Sequence, residues 1–196
     1  MDMSVGQSAM SPDTAIMTLP KSPLPNATRH RLVIGLAGWS GSGKTTLAEK
    51  LISALTATGL NVATIKHAHH RFDADVPGKD SHRHRMAGAG QVLVSSQHRS
   101  VLFTEHANAD DRPLDELLGA LAPADIVLVE GFKREPIPKI EIFRHSVEKP
   151  PLYPDDEWII AIASDDAAMA TGTLPLLDLN IPADVADLIA RLATER

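Results

Sequence analysis

Eight consecutive residues, Gly38-Trp39-Ser40-Gly41-Ser42-Gly43-Lys44-Thr45, satisfy the spacing G-x-x-x-x-G-K-[ST] in full. Glycines at these positions let the backbone turn with its N–H groups pointing inward, and a helix starting directly behind them adds partial positive charge. Such a loop cradles phosphates. Lys44 can reach the β- and γ-phosphates of a nucleoside triphosphate, and the Thr45 hydroxyl can ligate magnesium. The plain alternative is a tight glycine turn between a strand and a helix.

A metal on those phosphates needs a carboxylate from another strand. Ala124-Asp125-Ile126-Val127-Leu128-Val129-Glu130-Gly131 supplies an apolar run with Glu130 at its C-terminal end, where the ligand crevice of an open α/β sheet lies. Aspartate is the usual residue at that point, so glutamate is a departure, and a solvated strand-end acid is the duller reading. Between the two motifs, His67 to Ser81 is dense in groups that contact phosphate or metal, and Asp80 stands near the start of an expected helix, followed by Arg83, His84 and Arg85. Five of the nine histidines fall between His67 and His84. They suit a transition-metal site, phosphate or substrate contacts, or simply a solvated loop. For the base, neither N-K-x-D nor T-K-x-D occurs. Asp165, after Ala163-Ser164, can accept from a guanine edge or be an ordinary loop acid.

Strands and helices must hold these groups. Arg31–Ala37 reads as a buried strand, Leu47, Leu51, Ala54 and Leu55 recur at helical spacing with Gly59 as the stop, and Leu60–Lys66 reads as the next strand. Further strands are expected at Gln91–Ser95, Ser100–Thr104, Ile126–Glu130, Lys139–Phe143 and Trp158–Ala163. Helices are expected at Gly78–Ala87, at Leu114–Leu121 and, behind Pro182, along Val185, Leu188, Ile189 and Leu192. The alternation predicts a three-layer α/β fold with a mostly parallel sheet. The proline-rich stretch from Pro136 to Pro154 is expected to be an excursion at the sheet edge.

The 196 residues fit one domain. The domain is expected to span 29–196, after a disordered extension over 1–28 that carries Pro12, Pro20, Pro23 and Pro25 and little apolar surface. A net charge of -6 and only 4% aromatics argue against nucleic acid as a main partner. There is no cysteine, which removes disulfides and thiolate metal sites. No apolar run approaches the roughly 18–20 residues of a membrane span, and no secretory h-region is evident. A cytoplasmic protein is the expectation.

G-W-S-G-S-G-K-T-T, then T-I-K-H-A-H-H, D-x-P-G-K-D-S and A-G-A, then V-E-G-F-K and P-K-I-E-I-F-R, together resemble the MobB family of molybdopterin-guanine dinucleotide biosynthesis adaptor proteins. The likeness runs from about Arg31 to Asp165. It implies a homodimeric GTP-binding protein with weak GTPase activity that acts with the guanylyltransferase MobA, which attaches GMP to molybdopterin. The order of strand lysine, helix aspartate and V-E-G also resembles dethiobiotin synthetase, whose equivalent acids bind magnesium. That implies Thr45, Asp80 and Glu130 around the metal, with Lys44, Asp80 and Glu130 serving any hydrolysis. Gly38 through Thr46 (Trp39, Ser40, Gly41, Ser42, Gly43, Lys44 and Thr45 between them) would surround the nucleotide phosphates. Lys66, His67 and Lys79 would face the γ-phosphate or a pterin phosphate. Two rivals fit the same motifs: a small-molecule kinase or ATP-dependent ligase, and a metal-insertase GTPase using the histidines.

Overall fold

The computed structural model describes residues 19–68, 72–107 and 111–195. The expected extension over 1–28 thus lies largely outside the described residues, as do His69 and His70 of the histidine cluster.

Six strands form one sheet: β1 (Leu32–Ala37), β2 (Val62–Lys66), β5 (Ile126–Glu130), β6 (Lys139–Phe143), β7 (Ile159–Ser164) and β8 (Leu176–Asp178). Their order is β2-β5-β1-β6-β7-β8, and every neighbouring pair is parallel. Side-chain alternation along the strands sorts the core into two layers. Leu32, Ile34 and Leu36 of β1 point to one face, with Leu47, Leu51 and Leu55 of helix α1 (Lys44–Ala57) and Val185, Ile189 and Leu192 of helix α4 (Pro182–Thr194). Val33 points to the other, with Val127, Val129, and Leu114 and Leu118 of helix α3 (Leu114–Ala120). A sheet covered on both faces is what permits near-continuous apolar strands. The expected three-layer P-loop architecture is the one observed.

Strands β3 (Gln91–Ser95) and β4 (Ser100–Thr104) form a separate antiparallel hairpin beside the short helix α2 (Asp80–Met86). Apolar residues are exposed here: Leu93 by 67%, Leu102 by 56% and Met86 by 64%, and no residue of α2 is buried.

Two expectations are corrected, and one strand is added. The stretch from Pro136 to Pro154 is no edge excursion, because it carries β6, which lies between β1 and β7 inside the sheet. The strand expected at Lys139–Phe143 is there, and its charges are interior: Lys139 and Glu141 are 1% and 0% exposed and are satisfied internally. Lys139 Nζ donates to Lys133 O (2.9 Å) and Glu135 O (3.0 Å) and pairs with Asp156 (2.8 Å). Glu141 accepts from the N–H groups of Leu152 (2.7 Å) and Tyr153 (2.9 Å). Gly35 makes room for this arrangement: a methyl group there would stand 2.6 Å from Lys139 Cγ.

β8 was not foreseen, three residues being too short to show a period. Order also begins before Arg29: Pro25–Arg29 is a 3₁₀ helix with Ala27 buried, and Asn26 donates to both carboxylate oxygens of Asp115 on α3 (2.7 and 2.9 Å).

Candidate functional site

β1 ends at Ala37 and α1 begins at Lys44, so residues 38–43 must reverse the chain in the space between them. Gly38 does so at φ +145, and a Cβ there would meet Ile142 O at 2.5 Å. Only glycine fits. α1 starts behind Gly43 with no side-chain cap, which leaves its first-turn N–H groups to the concave side of the loop, where the helix dipole favours an anion. Ser42 Oγ is buried there with no hydrogen-bond partner. A loop with uncapped amides and an orphaned hydroxyl fits a phosphate group by the chemistry of its donors.

The parallel register brings the strand-end groups to the same place. Leu36 and Lys66 both stand opposite Glu130, one on each side of β5. Thr45 Oγ1 donates to Glu130 Oε1 at 2.8 Å, and Lys66 Nζ donates to Thr45 Oγ1 at 3.1 Å while pairing with Glu130 Oε2 at 3.3 Å. Lys44 Nζ donates to Trp39 O at 2.8 Å. Partial burial holds the Lys44 pKa below its ordinary value; Glu130 opposes that shift, and the charges of Lys133 and Lys66 add to it. A hydroxyl and a carboxylate within hydrogen-bonding distance, beside a P-loop lysine, suit a hard cation bridging phosphate oxygens.

The remaining expected residues are placed less uniformly. His67 follows Lys66, with its N–H on Glu130 O (2.9 Å) and its Nε2 3.2 Å from Asp111 Oδ1, so it borders the site. Ser40 and Thr46 are exposed on the loop and the first turn of α1. Lys79 is exposed ahead of α2. Asp80 is 88% exposed along its side chain and pairs with Arg83 at 3.6 Å on its own helix. Among the described residues, Asp80 pairs within its own helix rather than with the P-loop. Asp165 lies just beyond β7, where its Oδ2 is 2.6 Å from Arg144 Nη1. No group of three or more metal-ligating side chains is assembled among the described residues.

Two contributors carried no assigned role in the sequence. Arg144 donates from Nε to Ser42 O at 3.2 Å and so joins the P-loop to Asp165. Lys133 lies with its ammonium 4.3 Å from the ring centroid of Trp39, whose indole N–H donates to Pro150 O at 2.7 Å. Both sit inside motifs read from the sequence, V-E-G-F-K and P-K-I-E-I-F-R. The available signal was a cation shortly after a strand end that faces the phosphate loop.

A six-strand parallel sheet between helical layers, with a phosphate loop after β1 and a carboxylate ending the adjacent strand, defines a P-loop nucleoside triphosphatase fold. The crystal structure of Bacillus subtilis MobB superposes with a TM-score of 0.63 at 27% identity, covering 82% of this chain and 97% of that one. A MobB protein homolog from Bacillus stearothermophilus gives a TM-score of 0.61 at 23% identity, covering 84% and 99%. Residues 33–165 match the family model of molybdopterin guanine dinucleotide synthesis protein B. The molybdopterin-guanine dinucleotide biosynthesis adapter proteins of Escherichia coli K12 and Haemophilus influenzae are each 42% identical. The first match spans 80% of this chain and 90% of the relative, the second 80% and 86%. The chain belongs to the MobB family.

Proposed function

We propose that this chain is a GTP-binding adaptor in the formation of molybdopterin guanine dinucleotide. The observation that carries the reading is the convergence of Thr45, Glu130 and Lys66 beside the P-loop lysine. In it the loop amides and Lys44 hold the β- and γ-phosphates, while Thr45 and Glu130 support Mg²⁺ directly or through water. Asp80, on α2, is the further carboxylate offered to the metal. Magnesium supplies charge neutralisation on the phosphates, and hydrolysis, where it occurs, is positioning rather than covalent chemistry. Among the described residues, the carboxylate at the loop, Glu130, is engaged by Thr45 and Lys66, which favours slow turnover and an adaptor role.

Lys66 and the exposed Lys79 present local positive charge, and His67 a polar ring, to an anionic pterin phosphate, despite the net charge of -6. The partner is the guanylyltransferase MobA, and the ligand is molybdopterin or its guanine dinucleotide. A homodimer would cover the exposed apolar residues of the β3–β4 hairpin, Leu93, Val94, Val101 and Leu102. The reading places the protein in the cytoplasm, and none of the described helices is long and apolar enough to cross a membrane.

The test is titration of the purified chain with GTP, GDP and ATP, with and without Mg²⁺, followed by capture of MobA in each nucleotide state. GTP binding with turnover well below the roughly 1–100 s⁻¹ of kinases is the expected result. Rapid phosphorylation of another metabolite, without MobA or molybdopterin binding, would hand the site to a kinase reading.

A further inference from the structure

Lys133 stands three residues beyond Glu130, on the loop that leaves β5 for β6. That loop has little freedom. Gly131 turns at φ +107, where a Cβ would lie 2.8 Å from His67 Cβ. The Lys133 N–H donates to Gly131 O at 2.9 Å, and the Lys133 carbonyl accepts from buried Lys139 at 2.9 Å. Both main-chain groups of Lys133 are therefore engaged, and the side chain leaves from a fixed point toward the P-loop.

Its ammonium rests over the Trp39 ring at 4.3 Å, on the same residue whose carbonyl accepts from Lys44. Lys44 and Lys133 thus grip one P-loop residue, Lys44 through its main chain and Lys133 through its side chain. Lys66 brings a third ammonium, yet among the described residues Glu130 is the one carboxylate bonded to any of the three, and it pairs with Lys66. Cation exceeds anion at this spot, as a polyanion requires. The two ends of the loop also differ. Arg144, paired with Asp165, stands against Ser42, whereas Lys133 shares its side with Glu130, the acid beside which a metal on the outer phosphates would sit.

We propose that Lys133 is a binding residue for the terminal phosphate of the nucleoside triphosphate, exchanging the indole face of Trp39 for a phosphate oxygen. This rests on the nucleotide reading above. A charge-assisted bond to phosphate is stronger than contact with a partly exposed ring, so the exchange favours the triphosphate. A diphosphate, without the outer group, leaves Lys133 on Trp39. Lys133 then separates GTP from GDP, a distinction that Lys44 and the loop amides make only weakly because both nucleotides engage them.

The experiment is calorimetric titration of the full chain with GTP and GDP in Mg²⁺, for wild type, Lys133→Met, Lys133→Arg and Lys44→Ala. Methionine keeps the stem over Trp39 and removes the charge, and circular dichroism with a melting curve checks that the variant folds. Lys133→Met should lose about tenfold in GTP affinity and almost nothing for GDP. Lys133→Arg should recover most of the loss. Equal losses for both nucleotides, or none for either, in a folded Lys133→Met protein would overturn the assignment while leaving the P-loop reading intact. Wild type and Lys44→Ala binding GTP equally weakly would sink both.

Discussion

Two stretches of this chain are rich in charged and imidazole side chains, and they are used in opposite ways. Around the P-loop, charges are drawn inward: Lys139 and Glu141 are buried within β6 and fix the loops carrying Lys133 and Tyr153. In the lobe formed by α2 and the hairpin, charges satisfy one another away from the sheet, the Arg85 and Asp75 side chains being largely shielded. Arg85 binds Asp73 (3.0 Å), Asp75 (3.1 Å) and Glu105 (2.5 Å) and lies 5.2 Å from the Phe103 ring centroid. The first network is anchored in the sheet and aims side chains at one loop. The second holds its own turn together, and within it Asp80 reaches only Arg83. Density of chemical groups in a sequence therefore does not imply convergence; attachment to the ends of core strands does.

The largest effect should come from the inner network. Lys139→Met leaves Asp156 and two carbonyls without their cation, and removing one partner of a buried pair costs about 3–5 kcal/mol. Denaturant unfolding should show that loss. A variant within about 1 kcal/mol of wild type would mean the core is no more dependent on its charges than the lobe.

Next in size is Lys44→Ala. Charge-assisted bonds are worth about 1.5–3 kcal/mol each, so calorimetry should find GTP affinity down roughly ten- to hundredfold with the melting temperature unchanged. Unaltered affinity in a folded variant would remove the P-loop from the proposal.

The carboxylates set the two regions directly against each other. Glu130→Gln should weaken Mg²⁺-dependent GTP binding by about tenfold, since an amide keeps the size but not the charge that a hard cation favours. Asp80→Asn should weaken it less, since Asp80 is exposed and pairs with Arg83 on its own helix whereas Glu130 is bonded to Thr45. The reverse ranking, read from magnesium titrations, would show that the lobe closes onto the site when nucleotide is bound.

The smallest effects are in pH. Burial raises the Glu141 pKa, against the two N–H groups that stabilise its anion. The folded protein then holds this proton more tightly than the unfolded chain. The stability it contributes is full below the ordinary value of 4.5 and is lost as pH rises through the folded pKa. Asp73 is lowered, first by the Asp75 N–H and then by Arg85. Asp75 is lowered by Ser81, Arg85 and the Val76 N–H, which together outweigh its desolvation. Their stability is present above the ordinary 3.8 and is lost as pH falls through their folded pKa values. Hydrogen exchange below about pH 4 should therefore open residues 72–105 before β6, and Glu141→Gln should abolish the decline in stability above pH 4.5.

The sequence made most of this legible where pattern and position coincide. Ile126–Glu130 and Gln91–Ser95 were bounded correctly because apolar or β-branched runs end in a charge or a turn. Glu130 and Thr45 were paired by motif logic, and the parallel register brings them to 2.8 Å. Lys139–Phe143 reads as a strand with the bounds it has, but the prolines around it point to the sheet edge, and only its three-dimensional partners put it between β1 and β7. Lys133 and Arg144 were invisible as site residues for a related reason. Their roles depend on which loops face the P-loop, and that follows from sheet order rather than from local spacing.

The missing side chain at Gly35 ties two distant positions to a shared history. An alanine there collides with the Lys139 stem, so it can be accepted only by a lineage that has already shortened residue 139. Shortening residue 139 first releases the loop of Lys133 and leaves Asp156 without its cation. The route to alanine at 35 therefore runs through residue 139, with the losses there already taken. Among family members the two columns should change together or not at all, and a mutational library of this chain should recover Gly35→Ala only alongside a smaller residue at 139.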